Sequence, residues 1–122
     1  RAMATFDVVV NNADRKGGHV LAGADGGVYG VDHGICLHRE EKLRTVLWGW
    51  VGEPLPDDIV EGLRRLRAAL SPGRADGLHE TLHEHLTRAE VSALRSRVSR
   101  LLDAGELPAP GGRWPPIPWP AF

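Results

Sequence analysis

Cysteine is almost absent. The 122 residues hold one, Cys36, which excludes a disulfide framework and a thiolate zinc site. Charge of one sign is missing too: 15 basic side chains face 16 acidic ones, a formal net charge of −1. No overall field therefore draws the chain to nucleic acid or to an anionic membrane. No apolar run nears the roughly 20 residues of a membrane span, and no signal peptide is visible. A reducing, cytoplasmic setting is expected. The length suits one domain with a real core. The chain opens Arg1-Ala2-Met3 and runs at once into an apolar stretch, so it is expected to be the back part of a longer protein.

What is present divides into an opening segment with turn signals and a helical remainder. Ala2 to Asn11 reads as the end of a helix, with Met3, Phe6, Val9 and Val10 at helical spacing and Asn11-Asn12 as its stop. His19 to Leu21 and Val28 to Val31 are short β-prone runs. Ala24-Asp25-Gly26-Gly27 between them predicts a hairpin. Leu43 to Val51, with Trp48 and Trp50, reads as a buried connector. Pro56-Asp57-Asp58 opens a helix whose apolar stripe is Ile59, Leu63, Leu66 and Leu70. A second helix is expected from about Ala75 to Leu86. Thr87 and Glu90 have capping-box spacing for a third, lined by Val91, Leu94, Val98, Leu101 and Leu102 and closed by Gly105. Pro108 to Phe122 carries six of the nine prolines and two tryptophans, so it is expected to lie extended, its tryptophans pinning it to the domain. The expected division is a domain over 1–107 and a tail over 108–122.

Two motifs carry chemistry. In the first, Asp14 follows the helix, Lys16 comes two residues later, His19 five later and Asp32 eighteen later. Phosphoryl transfer needs an acid to orient the attacking group, a cation on the migrating phosphoryl and ligands for a divalent metal. Asp14 and Lys16 can reach one space. His19 and Asp32 sit at opposite ends of the predicted hairpin, and antiparallel pairing brings those ends together. Asp14-Arg15-Lys16-x-x-His19 followed by Val31-Asp32-His33-Gly34 resembles the catalytic and metal-binding loops of phosphatidylinositol 3-/4-kinase-like proteins, in particular their small actinobacterial members. The resemblance is sharp over Phe6 to Gly34 and loose over the helices. It implies an α+β fold in which the catalytic-loop hairpin packs on a mostly helical kinase-like C-terminal lobe. It also implies Asp14 as catalytic acid, Lys16 as phosphate contact, and His19 and Asp32 as metal ligands for ATP with Mg or Mn. The family pattern has asparagine where this chain has His19, and an imidazole nitrogen favours manganese over magnesium. His33 stands where the family has phenylalanine. No Gly-rich loop and strand lysine precede Asp14, so the expected partners are a nucleotide and a first lobe, from the same protein or a separate chain. A catalytically inactive, kinase-like binding module is the non-enzyme alternative.

The second motif is His79-Glu80-Thr81-Leu82-His83, which fits H-E-x-x-H. Two histidines one helical turn apart bind zinc and the glutamate activates a bound water, as in small zinc-dependent hydrolases of the metallopeptidase type. The competing reading is a polar helix face, with Leu78, Leu82 and Leu86 buried behind it. Cys36 near His38 is expected to pack rather than react. Arg15 is expected to brace its loop.

Overall fold

Local chemistry sets most of the element boundaries. The computed structural model describes residues 1–122 and contains four α-helices and one two-stranded antiparallel sheet, a small α+β fold. Helix α1 (Ala2–Val10) ends at Asn11, which takes the left-handed conformation at φ 55° that asparagine tolerates better than most residues. Helix α2 (Asp57–Ala69) has Asp57 and Asp58 in its first turn and Arg67 in its last, both favourable to the helix dipole. Helix α3 (Leu78–His85) is short. Helix α4 (Arg88–Ala104) carries the expected capping box: Glu90 N–H donates to Thr87 Oγ1, and Thr87 N–H donates to Glu90 Oε2. Gly105 closes it at φ 69°, where a side chain would be strained.

The core is gathered on α4. Its Leu94, Val98 and Leu101 meet Leu63 and Leu70 of the α2 segment, Ala4 and Val9 of α1, and Leu55 and Leu107 from the flanking loops. Leu70 and Val98 are completely buried. No helix is long and apolar enough to cross a membrane.

Strands β1 (Val20–Ala22) and β2 (Val28–Gly30) pair with Leu21 opposite Tyr29. Gly26 takes φ 77° in the turn, and the Asp25 carboxylate accepts from Gly27 N–H. The expected hairpin is present, but it is fastened at its base rather than laid flat on the helices. Leu21, Val28 and Tyr29 stay exposed, while the Arg15 guanidinium donates from Nη1 to the carbonyls of His19 and Val31 at the hairpin's open end. A Cβ on Gly30 would lie 3.3 Å from both guanidinium nitrogens and from Met3, so the strand comes close to Arg15 there.

Three further details depart from expectation. The inward face of α1 is Ala4, Thr5, Asp7 and Val9, not the stripe through Met3 and Phe6; Phe6 is 45 % exposed. Asp7 takes that face because a buried arginine pairs with it. Helix α3 begins at Leu78, not near Ala75, because Gly77 sits at φ 64° and the Asp76 carboxylate accepts from Leu78 N–H. In the tail, Trp119 is 93 % exposed and pins nothing. Trp114 does meet the domain, under Lys42 and Arg44, and backbone carbonyls add to the hold: Pro116 accepts from Thr45 N–H and from the Trp48 indole, and Ala121 accepts from Gly17 N–H.

Candidate functional site

The loop that follows α1 is built on a buried ion pair. Arg15 donates from Nε to Asp7 Oδ2 at 2.9 Å and from Nη2 to Asp7 Oδ1 at 2.8 Å, with both side chains at 0 % exposure. Asn12 donates to Asp7 Oδ1 at 3.1 Å and accepts from Asp14 N–H at 3.0 Å, which continues the network into the loop. Asn11 holds the neighbouring chain: its amide donates to the carbonyls of His38 and Glu40 and accepts from Lys42 N–H. The backbone on either side of Arg15 is clamped to Arg44 and Val46, as Arg15 N–H donates to Arg44 and Val46 N–H donates to Arg15. Buried charges are tolerated only when paired and hydrogen-bonded, and Asp7 and Arg15 meet both conditions. Arg15 therefore braces the loop, as expected. The sequence pattern read Asn11 and Asn12 only as a helix stop and passed over Asp7. The one usable signal was a lone charge, Asp7, in an otherwise apolar or small helix.

On this base the expected residues meet in two side-chain pairs, Asp14 with Lys16 and His19 with Asp32. The Lys16 ammonium lies 3.8 Å from Asp14 Oδ1, and both side chains are partly exposed. His19 sits in the 3₁₀ turn Gly17–His19 that leads into β1. Its ring bridges the motif: Nδ1 is 2.9 Å from the Asp14 carbonyl and Nε2 is 3.5 Å from Asp32 Oδ2. Nδ1 faces both the Asp14 carbonyl, which only accepts, and the Lys16 N–H at 3.4 Å, which only donates; Nε2 is the nitrogen turned toward Asp32. Asp32 is 63 % exposed and takes φ 57°, a left-handed conformation uncommon outside glycine, asparagine and aspartate. His33 packs edge-on against Phe6, ring centroids 5.3 Å apart.

His19 and Asp32 supply two donors, one imidazole nitrogen and one carboxylate. Magnesium and related ions are often held by one or two protein groups, with phosphate oxygens and water completing the sphere. The two donors stand as a pair, without a third His, Cys, Asp or Glu side chain converging on them.

The second motif is arranged differently. The His79 and His83 rings lie 4.5 Å apart on α3, and His79 Nδ1 is 3.1 Å from the Leu70 carbonyl. Glu80, placed by the motif as the base, instead accepts from Gly73 N–H at 2.8 Å and so clamps the α2–α3 loop. That hydrogen bond holds its carboxyl below the usual glutamate value, the wrong direction for a base poised near neutrality. No group of three His, Cys, Asp or Glu side chains converges anywhere in the chain. A catalytic zinc site usually takes three protein ligands, so the pair falls one short. Cys36 is partly buried, and burial first, then the Asp7 charge, pushes its thiol upward, away from the thiolate that reacts.

No family model and no solved structure matches the chain. All 122 residues align, at 56 % identity, with Protein Rv2133c of Mycobacterium tuberculosis (strain ATCC 25618 / H37Rv). The chain is similar to that protein over its whole extent and spans 42 % of the relative's length.

Proposed function

We propose that the chain is the metal- and nucleotide-binding catalytic lobe of a phosphatidylinositol-kinase-like phosphotransferase, completed by a first lobe that covers the nucleotide. One observation carries this reading: the His19 ring touches the Asp14 backbone through Nδ1 and the Asp32 carboxylate through Nε2, so residues eighteen positions apart share one site. The Asp14–Lys16 pair beside it adds the acid and the cation that phosphoryl transfer requires. The Mycobacterium tuberculosis relative has more than half its length outside the aligned part, which is room for a first lobe.

In this reading His19 Nε2 and Asp32 would hold a divalent ion, which would offset the charge of the nucleotide's phosphates, and the Asp14 carbonyl keeps the histidine ring in place. Asp14 orients the acceptor hydroxyl and takes its proton. Lys16 steadies the phosphate, and Arg15 keeps the loop in place from below without touching substrate.

Manganese binding measured by electron paramagnetic resonance, with and without ATP, tests the assignment. D32N and H19A should each weaken manganese binding at least tenfold while leaving the folded circular-dichroism spectrum intact. Unchanged binding in both variants would remove the basis for the reading.

A further inference from the structure

A cleft of about 410 Å³ opens on the other side of the tail, between α4, the connector around Glu41 to Trp48 and the residues Pro108 to Pro116. None of Asp14, Lys16, His19 or Asp32 lines it. It falls within the 300–1,000 Å³ range of small-molecule sites. Its walls include Leu43, Trp48, Leu101 and Trp114, so they are apolar and aromatic in large part.

The buried charged group in that wall is Arg97, which is only 2 % exposed. Its Nε donates to the Val9 carbonyl at 2.8 Å and its Nη1 reaches the His38 carbonyl at 3.4 Å. Both partners are neutral, and the buried Nη2 has no hydrogen-bond partner at all. The nearby carboxylate that could have served, Glu41, is held by Arg100 instead. Burial pushes the Arg97 guanidinium below its ordinary value, yet arginine remains a cation at neutral pH. A buried cation with no hydrogen-bonded carboxylate is costly, with Glu41 acting on it only at a distance, and it contrasts with Arg15, whose carboxylate partner is complete.

Further positive charge surrounds the same cleft. Arg100 and Arg113 line it, and Lys42 and Arg44 stand 5.2 Å and 5.4 Å from the centre of the Trp114 ring at its edge. Among the lining residues Arg97, Arg100 and Arg113 stand against two acids, Glu41 and Glu106, a surplus of one positive charge in a chain whose net charge is −1.

We propose that this cleft binds a small organic anion, its carboxylate or phosphate head on the Arg97 guanidinium and its planar or apolar body against Trp48 and Trp114. The site is independent of the phosphotransferase reading, because it shares no residue with it. A guanidinium with an unused N–H recognises an oxyanion by a charge-assisted hydrogen bond, and the indole walls take a flat apolar body.

Three isosteric probes test this by titration calorimetry: 2-naphthoate, neutral 2-naphthamide and the cation 2-naphthylmethylammonium. 2-Naphthoate should bind at least tenfold more tightly than the amide, and the ammonium should bind most weakly. In R97M the preference for the anion should vanish while the amide's affinity is kept. Should R97M fail to fold, the Arg97 Nε–Hε resonance of the unmodified protein replaces it, and it should shift with 2-naphthoate and stay with the amide. Equal affinities for the three probes, an anion preference that survives in R97M, or an Arg97 resonance that does not move would each overturn the proposal.

Discussion

The Asp14–Asp32 loop and the His79–His83 helix both present a short motif with chemically sensible spacing, but the fold treats them differently. Beneath the first lies a buried network, Asp7–Arg15–Asn12, tied to the hairpin at His19 and Val31. Beneath the second lies one carbonyl contact from His79, while its glutamate is spent on a local loop. Spacing places side chains near each other on any helix; a site also needs groups that fix their direction. The first motif rests on a buried network, whereas the second has one histidine held by a carbonyl and its glutamate turned to a loop.

The comparison breaks most visibly at the network. Asp7→Ala strands the Arg15 guanidinium in the interior and should cost about 3–5 kcal/mol, read as a lowered denaturation midpoint. The corresponding Glu80→Gln, on a fully exposed group, should leave that midpoint nearly where it is. If both behaved alike, the buried network would not be what distinguishes the two regions.

Activity separates them next. In the complete protein, Asp14→Asn should lower phosphate transfer by about 10²–10⁴-fold, the usual scale for a positioned acid or base, with manganese affinity kept. His79→Ala and His83→Ala should leave transfer unchanged and remove only whatever zinc or nickel the helix captures, as measured by metal titration. Phosphate transfer lost in His83→Ala would reverse the ranking of the motifs.

A smaller effect concerns the frame of the second region. Thr87→Ala removes the cap of α4 and should cost about 1 kcal/mol, seen as a lowered midpoint without loss of manganese binding at His19 and Asp32.

The smallest effect is a pH dependence. Hydrogen bonds hold Glu80 and Glu90 below the ordinary glutamate value, to the Gly73 N–H in one case and the Thr87 N–H in the other. A carboxyl lowered in the folded state contributes stability above its unfolded value and loses it as pH falls through the folded one. The Gly73 and Thr87 amide resonances should therefore shift only at acid pH, below the ordinary glutamate range. A transition of Glu80 near neutrality would instead suit a catalytic base.

Much of this architecture was legible because local chemistry governed it. The stop at Asn11, the hairpin around Asp25-Gly26-Gly27, the opening of α2 at Asp57 and the Thr87–Glu90 capping box rest on interactions within a few residues. The convergence of His19 with Asp32 was legible for a related reason: a hairpin brings its ends together whatever its strands contain. What escaped depends on contacts distant in sequence. Apolar periodicity put Phe6 inside α1 and ignored Asp7, because it cannot register a carboxylate buried by an arginine eight residues later. The tail's anchoring was legible only in part: Trp114 packs under Lys42 and Arg44, but Trp119 is exposed and the carbonyls of Pro116 and Ala121 supply further contacts. Nothing in the helical pattern set Arg97 apart, yet it is buried and donates to the Val9 carbonyl, 88 residues away in sequence.

Anomalous diffraction from a manganese-soaked crystal tests the central claim most directly, because it reads both motifs in one experiment. The account predicts a manganese peak between His19 Nε2 and Asp32, with Asp14 and Lys16 facing it. A peak held by His79 and His83, with none at Asp32, would contradict it.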